Sequence, residues 1–120
     1  MLDLKIKNGK CYVDGELKNI DIAVKDGKIN HIGQVSIESK DTVDARGLIV
    51  LPGCIDTQTH FREPGSTDTE DLNSGSRAAI AGGITGVFEM PNTNPPTSTK
   101  KEFQRKLNLA INRMYCNYAF

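Results

Sequence analysis

The chain has 120 residues, 38% hydrophobic and 25% charged, an ordinary globular balance with material for one modest domain. Fifteen Lys and Arg offset fifteen Asp and Glu, no basic stripe stands out, and nucleic acid is therefore not expected as a partner. No apolar run is long enough to span a bilayer and the opening MLDLKIKNGK has no signal-peptide core, so no membrane is expected and a cytoplasmic setting is.

From Leu2 to about Pro52 the pattern is short strands and tight turns. LDLKIK, CYV, IDIAV and INHIG alternate or run apolar. Asn8-Gly9, Asp14-Gly15 and Asp26-Gly27 punctuate them with the dipeptides that supply positive-φ residues to hairpin turns. GLIVLPG adds a strand that ends at Pro52-Gly53. Residues 1–52 thus read as a small antiparallel β unit, with His31 a surface histidine. Cys11, Cys54 and Cys116 are odd in number and form no CxxC, which reads as free packing thiols in a reducing compartment.

Over residues 53–120 strands alternate with helices, the pattern of parallel pairing through right-handed crossovers. CIDTQTHF is the first strand. A helix follows, with Thr67 and Glu70 in capping-box spacing at its start and Gly82-Gly83 at its end. ITGVFEM is a second buried strand. Thr99 and Glu102 then open another helix, on which Phe103, Leu107, Ile111 and Met114 form an apolar stripe. YCNYAF reads as a third strand. An open three-stranded sheet leaves two apolar edges, so the chain is expected to be part of a larger assembly or a truncated one.

The chemistry-bearing residues cluster at strand ends. Asp56, Gln58 and His60 alternate along the first strand, near the carboxyl end where α/β sites open. Two imidazoles two residues apart there can grip one zinc ion, with a carboxylate such as Asp56 orienting a ring from behind. Here only His60 is a strong ligand, and Gln58 offers a weaker amide oxygen. On spacing alone, the stronger reading of His60 is a polar residue hydrogen-bonded at a strand end, since a single histidine is an unspecific signal. Arg62 is placed to clamp a carboxylate with parallel hydrogen bonds, or to pair with Glu63 or Asp68 at the surface. Asn92, in MPNTNPP, holds the equivalent position after the second strand and can donate to the same anion, unless the segment is only a rigid turn.

The segment LPGCIDTQTHFREPGSTDTEDLNSGSRAAIAGGITGVFEMPNTNPPT resembles the first barrel segments of type I dihydroorotases, of the amidohydrolase superfamily. HFREPG and MPNTNP carry the resemblance, and the pairing of Arg62 with Asn92 favours dihydroorotase over allantoinase and hydantoinase. The implied fold class is α/β. Residues 53–120 would be the N-terminal part of a metal-dependent-hydrolase (β/α) barrel, about three strands and two helices, and residues 1–52 half of a small antiparallel β-sandwich. The implied activity is a zinc-dependent interconversion of carbamoyl-aspartate and dihydroorotate in pyrimidine synthesis. His60 matches a metal ligand, Arg62 and Asn92 match the residues that hold the substrate carboxylate, and Gln58 falls on a metal histidine and does not fit.

A barrel of this kind takes about 250 residues, and the catalytic aspartate and remaining ligands would come from later strands. Zinc is expected to be weakly held or absent, and the isolated chain is expected to be inactive. Alternatives are a non-catalytic partner of aspartate carbamoyltransferase, or one piece of a split enzyme whose missing barrel half, or a homo-oligomer, covers the sheet edges.

Overall fold

The computed structural model describes residues 1–120. Two compact units, Met1–Pro52 and Gly53–Phe120, divide the chain.

The first unit holds seven strands in two sheets. These are β1 (Leu2–Lys7), β2 (Lys10–Val13), β3 (Glu16–Asn19), β4 (Asp21–Lys25), β5 (Lys28–Gly33), β6 (Ser39–Asp44) and β7 (Ile49–Val50). One sheet runs β5-β4-β1-β6 and the other β3-β2-β7. Two of the expected turns close hairpins. Asp14 and Gly15 (φ 53° and 82°) join β2 to β3, and Asp26 and Gly27 (φ 51° and 70°) join β4 to β5. Both central residues take positive φ, which matches the right-handed twist of the flanking strands.

Asn8-Gly9 makes no hairpin, because β1 and β2 belong to different sheets. Gly9 is required there by close approach: a Cβ would lie 2.7 Å from Val50 Cγ2 and 2.9 Å from Ala45 Cβ. The expectation of a wholly antiparallel unit is also corrected. β1 pairs β6, and β2 pairs β7, in parallel. The connections into β6 and β7 carry the chain to the free edge of an earlier strand, where it runs the same way. β3 (ELKN) and β6 (SKDTVD) escaped the sequence reading because neither carries an apolar period; their neighbours make them strands. His31, on β5, is exposed as expected.

The second unit contains β8 (Cys54–Thr59), α1 (Leu72–Ala81), β9 (Ile84–Glu89), α2 (Lys100–Ala110) and β10 (Asn117–Ala119). Its strands pair in parallel in the order β10-β9-β8. Phe61, Leu72, Val87, Ala110 and Cys116 form the core, with Ile84, Leu109, Met114 and Phe120 packed against it. Burying a side chain such as Leu72 removes apolar surface worth about 2 kcal/mol from water.

α1 starts later than Thr67 and Glu70 suggest. Its N-cap is Asp71, whose Oδ1 accepts the Ser74 N–H at 2.6 Å while Ser74 Oγ accepts the Asp71 N–H at 3.1 Å. The preceding residues are spent in turns, with the N–H groups of Thr69 and Glu70 both directed to Ser66 O. The helix ends at Gly82, followed by Gly83 at φ 85°, as read.

α2 is capped by Thr99, which accepts the Glu102 N–H at 3.2 Å. Its expected stripe is corrected. The helix stops at Ala110, Phe103 and Ile111 are exposed, and the fully buried positions are Lys106 and Ala110. Apolar periodicity misses this face because its central residue is charged, drawn inward by Glu89 of β9.

Candidate functional site

β8 and β9 are adjacent and parallel, so their carboxyl ends open side by side, where ligand sites form in such sheets. The Met90 N–H donates to Thr59 O at 2.9 Å and ties the two strand ends together. His60 follows β8 directly, and Asn92 lies just beyond β9. Their side chains meet, with His60 Nδ1 2.9 Å from Asn92 Oδ1. An amide oxygen only accepts, so Nδ1 is the donor. This leaves the His60 Nε2 lone pair and the Asn92 amide N–H groups available to a ligand.

The two loops carrying these residues also join. The Asn94 N–H donates to Pro64 O at 3.0 Å. Gly65, at φ 121°, sits so close that a Cβ there would lie 2.8 Å from Asn94 O. That contact makes a glycine necessary in the REPG turn. Arg62 is exposed between two buried residues, Phe61 and Glu63. It enters none of the chain's ion pairs, including the alternatives with Glu63 and Asp68. Arg62, two residues beyond His60, thus carries a guanidinium outside any ion pair, and Asn92 keeps its amide N–H groups free.

Asp56 and Gln58 are placed differently from simple alternation. The register is irregular between Asp56 and Thr59, and Asp56 Oδ1 accepts the Gln58 backbone N–H at 2.9 Å. The His60 ring is met by Asn92 rather than by Asp56. No three His, Cys, Asp or Glu side chains gather to hold a metal. A tightly bound zinc takes about four donors of those types. One imidazole beside an amide does not fit that requirement.

Two pairs beneath the rim went unseen in the sequence. Glu89, at the end of β9, forms a buried ion pair with Lys106 of α2, and both side chains are fully buried. Glu89 Oε1 has no hydrogen-bond partner. Burial pushes the Glu89 carboxyl above the usual Glu range, against the opposing pull of Lys106, His60 and Arg62. A glutamate inside the apolar run ITGVFEM was the available signal. The second pair joins Glu63 to Arg113, 50 residues away, and nothing local in the sequence marks it.

Residues 49–119 match the amidohydrolase family. The chain belongs to that family. An allantoinase from Escherichia coli O1:K1 / APEC is 45% identical over 113 residues, covering 93% of this chain and 25% of the relative. A dihydroorotase from Methanosarcina acetivorans is 46% identical over 112 residues, covering 92% and 24%. The solved L-hydantoinase (dihydropyrimidinase) from Arthrobacter aurescens superposes with a TM-score of 0.87 at 33% identity, covering 99% of this chain and 27% of that one. The mixed α/β structure therefore resembles the N-terminal part of the hydantoinase fold. This amidohydrolase-family chain spans about a quarter of the length of the curated relatives it matches. No helix is long and apolar enough to cross a membrane.

Proposed function

We propose that this chain is the N-terminal portion of a dihydroorotase-type cyclic amidohydrolase and supplies the rim that holds the substrate carboxylate. In this reading Gly53–Phe120 is the first βαβαβ segment of a (β/α) barrel, and Met1–Pro52 is half of a small β-sandwich. The observation that carries it is the rim itself, where Arg62 has no carboxylate partner and Asn92, turned by His60, keeps its amide N–H groups free. A guanidinium and an amide donor together suit a small carboxylate. Likeness to a dihydroorotase supports the same class of cyclic amide substrate.

Arg62 and Asn92 bind and orient the substrate. His60 holds the Asn92 amide through Nδ1. Gln58 and the sparse donor set argue against a tightly held zinc, so turnover requires groups that this chain does not bring together. A non-catalytic role beside aspartate carbamoyltransferase is the second reading, and Gln58 in place of an imidazole favours it. Ile55 and Phe88 are 62% and 49% exposed on the sheet, which favours completion by further barrel strands or by another chain.

Titration of the 15N-labelled chain with carbamoyl-aspartate and, separately, with allantoin tests the substrate class. Carbamoyl-aspartate is expected to shift the Arg62 and Asn92 side-chain signals, and Arg62→Ala to abolish its binding. A preference for allantoin would overturn the assignment. Metal analysis of the purified chain is expected to find well below one zinc per chain, and stoichiometric zinc would contradict the donor-set argument.

A further inference from the structure

Arg62 owes its direction to its neighbours. Phe61 is buried in the core against α1, so closely that a Cβ on Gly75 would lie 2.7 Å from its ring. Glu63 is buried as well, and both its oxygens are engaged. Arg113 Nη1 donates to Oε1 at 2.7 Å and Nη2 to Oε2 at 2.8 Å, while the Leu72 N–H donates to Oε2 at 3.0 Å. Arg113 is itself held, donating from Nη1 to Leu109 O at 3.0 Å and accepting Asn73 Nδ2 on its carbonyl at 3.1 Å. Asp71 Oδ2 lies 3.8 Å from Nη2. The pair therefore pins the turn after β8 to the start of α1 and the end of α2.

We infer that the Glu63–Arg113 pair is a positioning brace for Arg62. Two consequences follow from its geometry. Residues 61 and 63 both point inward, which leaves residue 62 facing the rim. Glu63 is also the nearest carboxylate along the chain, and its bidentate bond to Arg113 keeps it from neutralising Arg62. Arg62 therefore enters no ion pair, and its guanidinium N–H groups stay open to an incoming anion. Neither brace residue touches the ligand, and the inference rests on the reading of Arg62 as the anion holder.

The test uses the full 120-residue chain with carbamoyl-aspartate as probe. Arg113→Lys keeps the positive charge but loses the planar fork, and Glu63→Gln keeps the shape but loses the charge. Both are expected to remain folded by circular dichroism, to weaken binding about tenfold, as the loss of one charge-assisted bond does, and to lower the order parameter of Arg62 Nε–H. Folded variants with wild-type affinity and an unchanged Arg62 order parameter would overturn the brace. Arg62→Ala separates the two readings. Undiminished affinity in that variant refutes the anion-holding role, whereas the brace is still judged by whether Arg62 Nε–H loses order in Arg113→Lys and Glu63→Gln.

Discussion

Two buried carboxylates lie close to the same rim, and they are satisfied very differently. Glu63 has every lone-pair direction that matters occupied: a two-pronged guanidinium and a backbone N–H at a helix start. Its partner Arg113 is held above its usual pKa chiefly by that bond. Glu89 has a point-charge partner in Lys106 and one oxygen with nothing to accept from. The first arrangement fixes a geometry, because a planar guanidinium holds both carboxylate oxygens at once. The second leaves one carboxylate oxygen desolvated without a partner, and burial pushes that carboxyl above the usual Glu range.

The largest expected effect comes from breaking the less satisfied pair. Lys106→Met leaves Glu89 buried without a counter-charge and should cost about 3 kcal/mol in urea unfolding at neutral pH. Adding Glu89→Leu should return most of that loss, since an apolar pair of similar volume carries no desolvation cost. A double variant no more stable than Lys106→Met would show that the pair itself holds α2 to β9.

Packing around the better-bonded pair gives the next effect. Gly75→Ala drives a methyl into the Phe61 ring and should destabilise by about 1–3 kcal/mol in the same assay. It should also disturb Arg62 Nε–H in NMR, because Phe61 anchors one side of that residue. Unchanged stability would mean that α1 shifts to accommodate the methyl.

Titration distinguishes the two regions further. A carboxyl raised by folding stabilises fully below its unfolded pKa and loses that contribution as pH rises through the raised value. Relative to Glu89→Gln, the wild type should therefore lose stability as pH climbs from the ordinary Glu range upward. Asp71 behaves in the opposite sense. The Ser74 backbone N–H, followed by the Ser74 hydroxyl, holds it below the usual Asp range. Its contribution is present above the unfolded pKa and lost as pH falls through the lowered value, so the advantage of wild type over Asp71→Asn should vanish in acid. Urea melts across the acid and neutral range check both slopes, and a pH-independent difference in either case would remove its electrostatic cause.

The smallest effect is local. Asn92→Ala removes the acceptor from His60 Nδ1, so the ring should lose its single tautomer. Nitrogen shifts of His60 at neutral pH should move from a fixed Nδ1–H form to a tautomeric mixture, with little change in melting temperature. An unchanged tautomer would show that Asn92 does not orient the ring.

Much of this was legible before any coordinates. The period-2 runs and Asp-Gly turns of residues 1–52, the strand–helix alternation after Pro52, the Thr99 cap and the Gly82-Gly83 stop are all local signals, and local backbone physics writes them into short windows. The placement of Arg62 and Asn92 just beyond β8 and β9 was legible too, since each follows a run that reads as a strand. The later start of α1 was not, because Thr67 and Glu70 have the right spacing but their backbone groups are used in turns. The burial of Lys106 was missed because its partner lies 17 residues away on β9.

Taken alone, the sequence determined the apolar strands, the two helices and their order, because each depends on neighbours within a few positions, whereas β3 and β6 took their strand state from the strands beside them. Tertiary structure decided the pairing directions of β6 and β7, the Asn92 amide turned by His60, and the absence of an ion pair at Arg62. Each of these depends on groups that lie far apart in the chain. Glu63 is bonded by Arg113, 50 residues away, and Arg62 is left without an ion-pair partner.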